Sequence, residues 1–271
     1  MYDGNSAYLC SMKVEFTFLG TGTSQGVPII ACDCEVCTSS NPKDQRLRSS
    51  LLLQIDGKNF IIDTGPDFRQ QCLRSGIKTL DAVVFTHEHK DHVAGLDDIR
   101  PFNFKSGNDM PVFASSAVQK ALEREFHYIF KATYPGVPRV QLKAISDDPF
   151  EVEGTTWWPL PMFHKELPVY GFRVGGLAYI TDANQFSDLA LDRLRGVDVL
   201  VLNALRQEPH LSHFTLEEAL DWSQRIGARQ TFFTHISHQL GLHDAVNAIL
   251  PPYASLAHDG MRGVSVGKPL A

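Results

Sequence analysis

Six consecutive residues, His87-Glu88-His89-Lys90-Asp91-His92, bring three imidazoles and two carboxylates together at a spacing that suits metal ligation. In an extended segment, side chains two apart project to one side, so His87 and His89 can share an ion. A turn into helix at Asp91 redirects that residue and His92 toward a second ion nearby. Imidazole and carboxylate donors together suit zinc, manganese or iron. A pair of hydrolytic metals needs more donors than one loop supplies. His164, Asp182 and His235 each stand where a predicted strand ends. Asp182 can bridge two cations through its two oxygens, which makes it the natural shared ligand. A merely histidine-rich surface loop has no reason to show this pattern directly after a buried strand.

A second constellation is Cys32-x-Cys34-x-x-Cys37, which follows Gly20-Thr21-Gly22-Thr23-Ser24-Gln25-Gly26-Val27-Pro28. Three thiolates this close cannot all pair with one another, but they fit one face of a tetrahedral zinc site. His238, in Thr234-His235-Ile236-Ser237-His238-Gln239, is the candidate fourth ligand. One structural zinc there would staple the N-terminal loop beside the first cluster. The five cysteines, which include Cys10 and Cys72, are odd in number and crowded. They do not read as a disulfide framework, and they point to metal and a reducing cytoplasm.

The elements that must position these residues are legible as short strands and turns. Val14 to Leu19 alternates apolar and polar residues and stops at the glycine-rich loop. Ser50 to Ile55 and Asn59 to Ile62 flank Asp56-Gly57, a hairpin signal. Asp67 to Ser75 has helical spacing and ends at Gly76. Ala82 to Phe85 is a short buried strand running into the histidine cluster. Thr155 to Pro161 is a strand leading to His164. Val169 to Val174 and Leu177 to Ile180 flank Gly175-Gly176 as a second hairpin, whose latter strand delivers Asp182. Val197 to Leu202 is a further buried strand. Thr215 to Arg225 is an amphipathic helix with Thr215 and Glu218 as a capping box, ending at Gly227. Gln230 to Phe233 is the strand that delivers His235. Such α/β alternation predicts two sheets packed face to face with helices outside. The segment from Arg100 to Asp148 is expected to build part of the pocket, with Pro135-Gly136-Val137-Pro138 as a loop over its entrance.

Composition sets the outer limits. The chain has 271 residues, 43% hydrophobic and 21% charged, which is the balance of an ordinary globular protein. A net charge of −6 argues against a broad grip on nucleic acid. No apolar run approaches the roughly 18 residues that span a bilayer. Met1 to Ser11 has neither the basic start nor the apolar core of a secretory signal. Residues 1–11 therefore read as an N-terminal extension without a fixed fold, upstream of a start at Met12. Residues 12–271 read as one domain, cytoplasmic and without membrane contact.

On these motifs the chain resembles the metallo-β-lactamase superfamily from Val14 onward. The resemblance implies a four-layer αββα sandwich. It implies that His87, His89 and His164 hold one metal, and that Asp91, His92 and His235 hold the other. Asp182 and a water-derived hydroxide would bridge the pair. Asp63, in Ile62-Asp63-Thr64-Gly65, matches the family's aspartate that steadies a ligand histidine. True β-lactamases of this superfamily commonly place a cysteine where Asp182 stands, so antibiotic hydrolysis is not expected.

The cysteine triplet and the Thr-His-Ile-Ser-His-Gln run narrow the likeness. They resemble the cyclic phosphodiesterases of the carbon–phosphorus lyase pathway, which cleave phosphoribosyl 1,2-cyclic phosphate. By that resemblance the bridging hydroxide attacks phosphorus, and His213 gives the leaving oxygen its proton. Asp91, Asp182 and His213 are then the catalytic candidates. His213 sits just before a helix N-terminus, where the dipole favours an anion. His210 is assigned to the rim, and Arg206 to clamping a substrate phosphate. The expected partner is a small-molecule phosphodiester, with a homodimer allowed. The rival readings are a tRNA 3′-processing endonuclease, a thioester or lactone hydrolase, and a metal-binding protein without turnover. A pyrroloquinoline-quinone biosynthesis protein shares the triplet but generally lacks the full histidine cluster.

Overall fold

The computed structural model describes residues 12–131, 134–267 and 270. Residues 1–11, read from the sequence as an extension, lie outside the described residues. In chain order the strands are β1 (Met12–Gly20), β2 (Ser50–Ile55), β3 (Lys58–Ile62), β4 (Ala82–Val84), β5 (Met110–Ser115), β6 (Val140–Ile145), β7 (Phe150–Val152), β8 (Thr155–His164), β9 (Leu167–Val174), β10 (Leu177–Tyr179), β11 (Gln185–Phe186), β12 (Val199–Asn203), β13 (Gln230–Thr234), β14 (Ala254–Leu256) and β15 (Arg262–Gly267). The α-helices are α1 (Phe68–Ser75), α2 (Lys90–Val93), α3 (Arg100–Ser106), α4 (Ser116–Glu125), α5 (His127–Lys131), α6 (Asp188–Leu194), α7 (Leu216–Ile226) and α8 (His243–Asn247).

One sheet has the order β15-β1-β2-β3-β4-β5-β6, and the other β11-β8-β9-β10-β12-β13-β14 with β7 added beside β8. Period-2 alternation assigns each strand residue to a face. Ala82 and Val84 of β4 and Val199 and Val201 of β12 enter the core between the sheets, with Phe16, Trp157 and Phe172. Val83 faces outward onto Phe68, Leu96 and Leu122. Leu200 and Leu202 face outward onto Ala190, Leu194 and Leu216. Three apolar layers thus separate four structural layers, the αββα sandwich. Burial on both faces explains why the central strands read as unbroken apolar runs.

Several boundaries differ from the sequence reading. β8 continues past Pro161 to His164, so His164 is the last strand residue rather than the loop residue after it. Pro159 and Pro161 stand opposite Phe172 and Tyr170 of β9, but their carbonyls turn the other way, to Arg193 and Ser187, so the missing N–H groups face away from β9, where β11 pairs only with Met162 and Phe163. The strand expected from Val197 runs instead from Val199 to Asn203, with Val197 tied to Leu194 at the end of α6. The loop 135–138 is not at the entrance. It leads into the start of β6, which runs parallel to β5 and β4, whereas His87 follows the far end of β4. Its Gly136 carbonyl is held by Arg100 at 3.2 Å, along α3. Among the described residues no helix is long and apolar enough to cross a membrane.

Candidate metal centre

The ligand-type residues come from both sheets and meet at one end of the sandwich. β4 ends three residues before His87, and the chain stays extended through His89 before α2 begins at Lys90. That short helix carries Asp91 and His92, as the spacing predicted. α2 packs closely on the loop after β3: a side chain at Gly65 would put its first carbon 2.1 Å from the Asp91 carbonyl oxygen. Glycine there is a condition for the helix to sit where it does. β8 contributes His164, and the turns after β10 and β13 contribute Asp182 and His235.

Asp63, Asp182 and His235 hold left-handed φ values of 64°, 52° and 55°. Non-glycine residues in this region cost on the order of 1–3 kcal/mol each and cluster at functional sites. The kink aims each side chain sideways off its strand end. Parallel bridging of Gly22 to Ile236, with Ile236 N–H donating to Thr21 at 2.9 Å, keeps the His235 turn in place. Thr23 Oγ1 lies 3.3 Å from His235 Nε2 and Ser49 Oγ 3.4 Å from its Nδ1.

Asp182 is the hub. One oxygen lies 3.1 Å from His92 Nε2 and 3.0 Å from His235 Nδ1, and the other 3.1 Å from His213 Nε2. Asp91 Oδ2 is also 3.1 Å from His92 Nε2. Donor atoms of Asp91, His92, Asp182 and His235 all fall within 4.8 Å of one another. His87 lies beside them, its ring centroid 4.6 Å from that of His89 and 6.1 Å from that of His164, with His89 and His164 5.3 Å apart. The buried Nε2 atoms of His87 and His92 have no hydrogen-bond partner. The 3.1 Å approaches of His92 Nε2 to carboxylates are thus close without hydrogen-bond alignment, as for ligands facing a common cation. Buried unpaired polar atoms are costly, so their position here fits metal donors.

The opposite ring nitrogens are anchored. His92 Nδ1 is 2.7 Å from Asp63, whose carboxylate also accepts from the Thr86 backbone N–H at 2.9 Å and hydroxyl at 2.8 Å. His164 Nδ1 is 2.7 Å from the Ser212 carbonyl, an acceptor that makes it the N–H side and leaves Nε2 free for a ligand role. No sequence signal marks a backbone carbonyl, and this anchor was missed. Burial and the neighbouring charges set the proton affinities. Burial lowers His87 far below its ordinary value and His235 to about 3. Burial also opposes charge on His92, yet the Asp182, Asp91 and Asp63 carboxylates hold it well above the usual range. For Asp182 burial acts upward, and the surrounding histidines overcome it to hold the carboxyl well below. The potential that favours a proton on His92 equally favours a divalent cation in its place.

Replacing Asp63 by Ala is expected to weaken metal binding roughly 10- to 100-fold, as loss of such a partner typically does. Metal titration of the apo-protein by calorimetry checks this, and unchanged affinity would show that His92 is oriented by other contacts.

The second cluster also assembles. His238 Nδ1 lies 3.3, 3.2 and 3.5 Å from the sulfurs of Cys32, Cys34 and Cys37. Zinc bond lengths of ~2.3 Å to sulfur and ~2.1 Å to nitrogen in a tetrahedron imply sulfur–nitrogen spacings of roughly 3.6 Å, so the four atoms fit that ion. The Cys37 backbone N–H and His238 bring the Cys34 thiol down to about 6, favouring the thiolate that zinc takes.

His210 is exposed, at the rim as expected, but its Nδ1 is 3.1 Å from Nδ1 of His213. Arg206, assigned to a substrate phosphate, has its guanidinium engaged within its own loop and with Gln239. Its guanidinium donates to the carbonyls of Glu208 and Pro209 and to Gln239, at 3.1, 2.6 and 2.9 Å. Those carbonyls have no strand partner, and the guanidinium fork satisfies them, bracing the loop that carries both histidines.

A family profile described as "Beta-lactamase superfamily domain" matches residues 58–236, from β3 to the turn that holds His235. With the αββα layers and the ligand cluster, the chain belongs to the metallo-β-lactamase superfamily, a family of metal-binding hydrolases. Its particular likeness is to a solved structure described as a new diphosphatase from the PhnP family. That protein is 43% identical with a TM-score of 0.88, covering 94% of this chain and 98% of the other. A Zn(2+)-bound PqqB from Methylobacterium extorquens shares the fold, at TM-score 0.73 and 20% identity, over 92% of this chain and 99% of the other. A curated relative from Porphyromonas gingivalis, called octanoyltransferase, is 40% identical over 250 residues, 91% of this chain and 50% of that protein. The chain spans about half the length of that relative.

Proposed function

We propose that the protein hydrolyses the P–O bond of a small phosphodiester, a cyclic ribosyl or nucleotide phosphate, using two divalent ions and His213 as proton donor. The observation that carries this reading is the position of Asp182, within about 3 Å of two ligand histidines and of His213 at once. His87, His89, His164 and Asp182 would hold one ion, and Asp91, His92, Asp182 and His235 the other. Zinc, manganese and iron all suit these donors. When bound, the ions supply charge to offset that growing on the phosphoryl oxygens, and they lower the pKa of a bound water.

The chain's own residues do the rest. Asp63 and the Ser212 carbonyl keep His92 and His164 turned so that Nε2 faces inward. His213, almost buried, lies just ahead of the capped start of α7, where the helix dipole stabilises an incoming phosphate. It carries the proton at Nε2 and delivers it to the departing sugar oxygen. The likeness to a diphosphatase supports attack at phosphorus and adds diphosphate esters to the substrates worth testing.

The test compares leaving groups. His213→Ala is expected to slow cleavage of cyclic ribosyl phosphates by about 100- to 10,000-fold, as loss of a general acid does, and to spare p-nitrophenyl esters within about tenfold. Equal loss on both classes would remove His213 from the acid role.

A second reading rests on the relative called octanoyltransferase: the same donors could act on an acyl carbonyl. An octanoyl thioester, run beside bis(p-nitrophenyl) phosphate, separates the two. Turnover of the thioester alone would replace the phosphodiester reading.

A further inference from the structure

The loop from Arg206 to His213 contains a histidine pair that the ligand set does not use. His213 turns Nε2 toward Asp182 and Nδ1 toward His210 Nδ1, at 3.1 Å on each side. We propose that His210 is a positioning residue: its Nδ1 accepts a hydrogen bond from His213 Nδ1–H and so holds the proton-donating Nε2 on the reacting side. This inference rests on His213 being the general acid.

Two imidazole nitrogens at 3.1 Å can form a hydrogen bond only if one carries a proton and the other a lone pair. A proton donor that works through Nε2 must return to its Nδ1–H form after each transfer, since loss from Nδ1 would leave the wrong atom protonated. The partner at Nδ1 decides between these forms. His210 suits the accepting role because partial burial, the neighbouring His213 and the Arg206 guanidinium all push it below its ordinary value, toward the neutral ring. Its far side is open to water, where Nε2–H can donate.

The backbone around the pair is fixed as a positioning role requires. Arg206 holds the carbonyls of Glu208 and Pro209, Asn184 donates to the Leu211 carbonyl at 3.0 Å, and His164 reaches the Ser212 carbonyl. The His213 ring is sandwiched, stacked on His235 with centroids 4.9 Å apart and edge-on to His164 at 4.5 Å. Packing therefore sets its plane, and the Nδ1 contact sets which nitrogen bears hydrogen. Ser212 Oγ is the competing acceptor, 3.2 Å from His213 Nδ1 and 3.4 Å from His210 Nδ1. Its hydroxyl can bridge the two rings, while its backbone N–H also donates to His210 Nδ1, at 3.4 Å, which marks that nitrogen as an acceptor.

The geometry makes an unusual demand on replacements. Asn places its amide oxygen where the Nδ1 of His stands, and Gln places its own near the position of Nε2. In the metal-loaded full chain, His210→Ala and His210→Gln are expected to lose roughly tenfold in kcat on a cyclic ribosyl phosphate, in the range for loss of an orienting partner. His210→Asn is expected to retain activity within about threefold of the parent, a difference of under about 0.7 kcal/mol. All three should cleave bis(p-nitrophenyl) phosphate almost normally, because nitrophenolate leaves without a proton. Metal content and Tm serve as controls for folding. Equal activity of the Ala, Gln and Asn variants on the ribosyl substrate would overturn the inference, as would a loss of the same size on the nitrophenyl ester. His213→Ala in the same assay keeps the two ideas apart: if its loss depends on the leaving group while the His210 series is flat, only the positioning role fails.

Discussion

Asp182→Asn should bind metal poorly and lose at least about 1,000-fold in turnover of bis(p-nitrophenyl) phosphate, the equivalent of roughly 4 kcal/mol of transition-state stabilisation. The carboxylate touches three histidines from separate elements: His92 on α2, His213 before α7 and His235 after β13. An amide keeps the shape but offers one oxygen and an N–H pair, so it can face only one cation and repels the other. The replacement also removes the negative charge beside His92 and His213. Stoichiometry measured by elemental analysis should fall from two ions at this centre toward one. A variant that keeps both ions and most of its turnover would show that Asp182 is no bridge, and the pair would then be held by the remaining ligands alone.

The second large effect is expected at the cysteine cluster. Cys37→Ser should lower zinc content by one per chain and reduce Tm by roughly 6–12 °C, taking about 3 kcal/mol as the lost stabilisation for a domain of this size. Three thiols in the loop after β1 face a histidine more than 200 residues along the chain. Closing so long a loop by a metal removes much freedom from the unfolded state, which is where a staple gains most in principle. His238 lies three residues after His235, so its release should also loosen that ligand and cut activity without touching the substrate. An unchanged zinc count would exclude Cys37 as a ligand. A lower count with an unaltered Tm would show that the parent protein's ion at this site adds nothing to stability.

Much of the candidate site was legible because its residues lie at strand ends, and strand ends are marked by apolar runs and glycines. β4 followed by His87, and β13 followed by His235, are cases where burial pattern and chemistry adjoin in sequence. The capping box of α7 was equally readable, with Thr215 and Glu218 bonding reciprocally as the spacing requires. Other features have no local signature. The left-handed turns at Asp63, Asp182 and His235 are imposed by tertiary contacts, against the preference of those residues. The roles of Arg206 and of the Ser212 carbonyl depend on a loop with no periodicity. Pro135 to Pro138 looked like an entrance flap because proline and glycine mark a loop, yet they do not say at which end of a parallel sheet it lies. β14 has only three residues and β15 contains two glycines, so neither carries a clear strand signal.

β1 is hydrogen-bonded on one side to β2 and on the other to β15, with Met12 opposite Gly267. His235 and His238, the last members of the two clusters, likewise come late in the chain. On a ribosome β1 would therefore emerge long before β15, and both ion-binding sets would stay incomplete until His235 and His238 had followed. Pairings of such long sequence separation form slowly. The nascent chain would meanwhile expose the β1 edge and loose thiolates, so the order of events is built in: backbone closure comes late, and metal capture comes with it rather than before it.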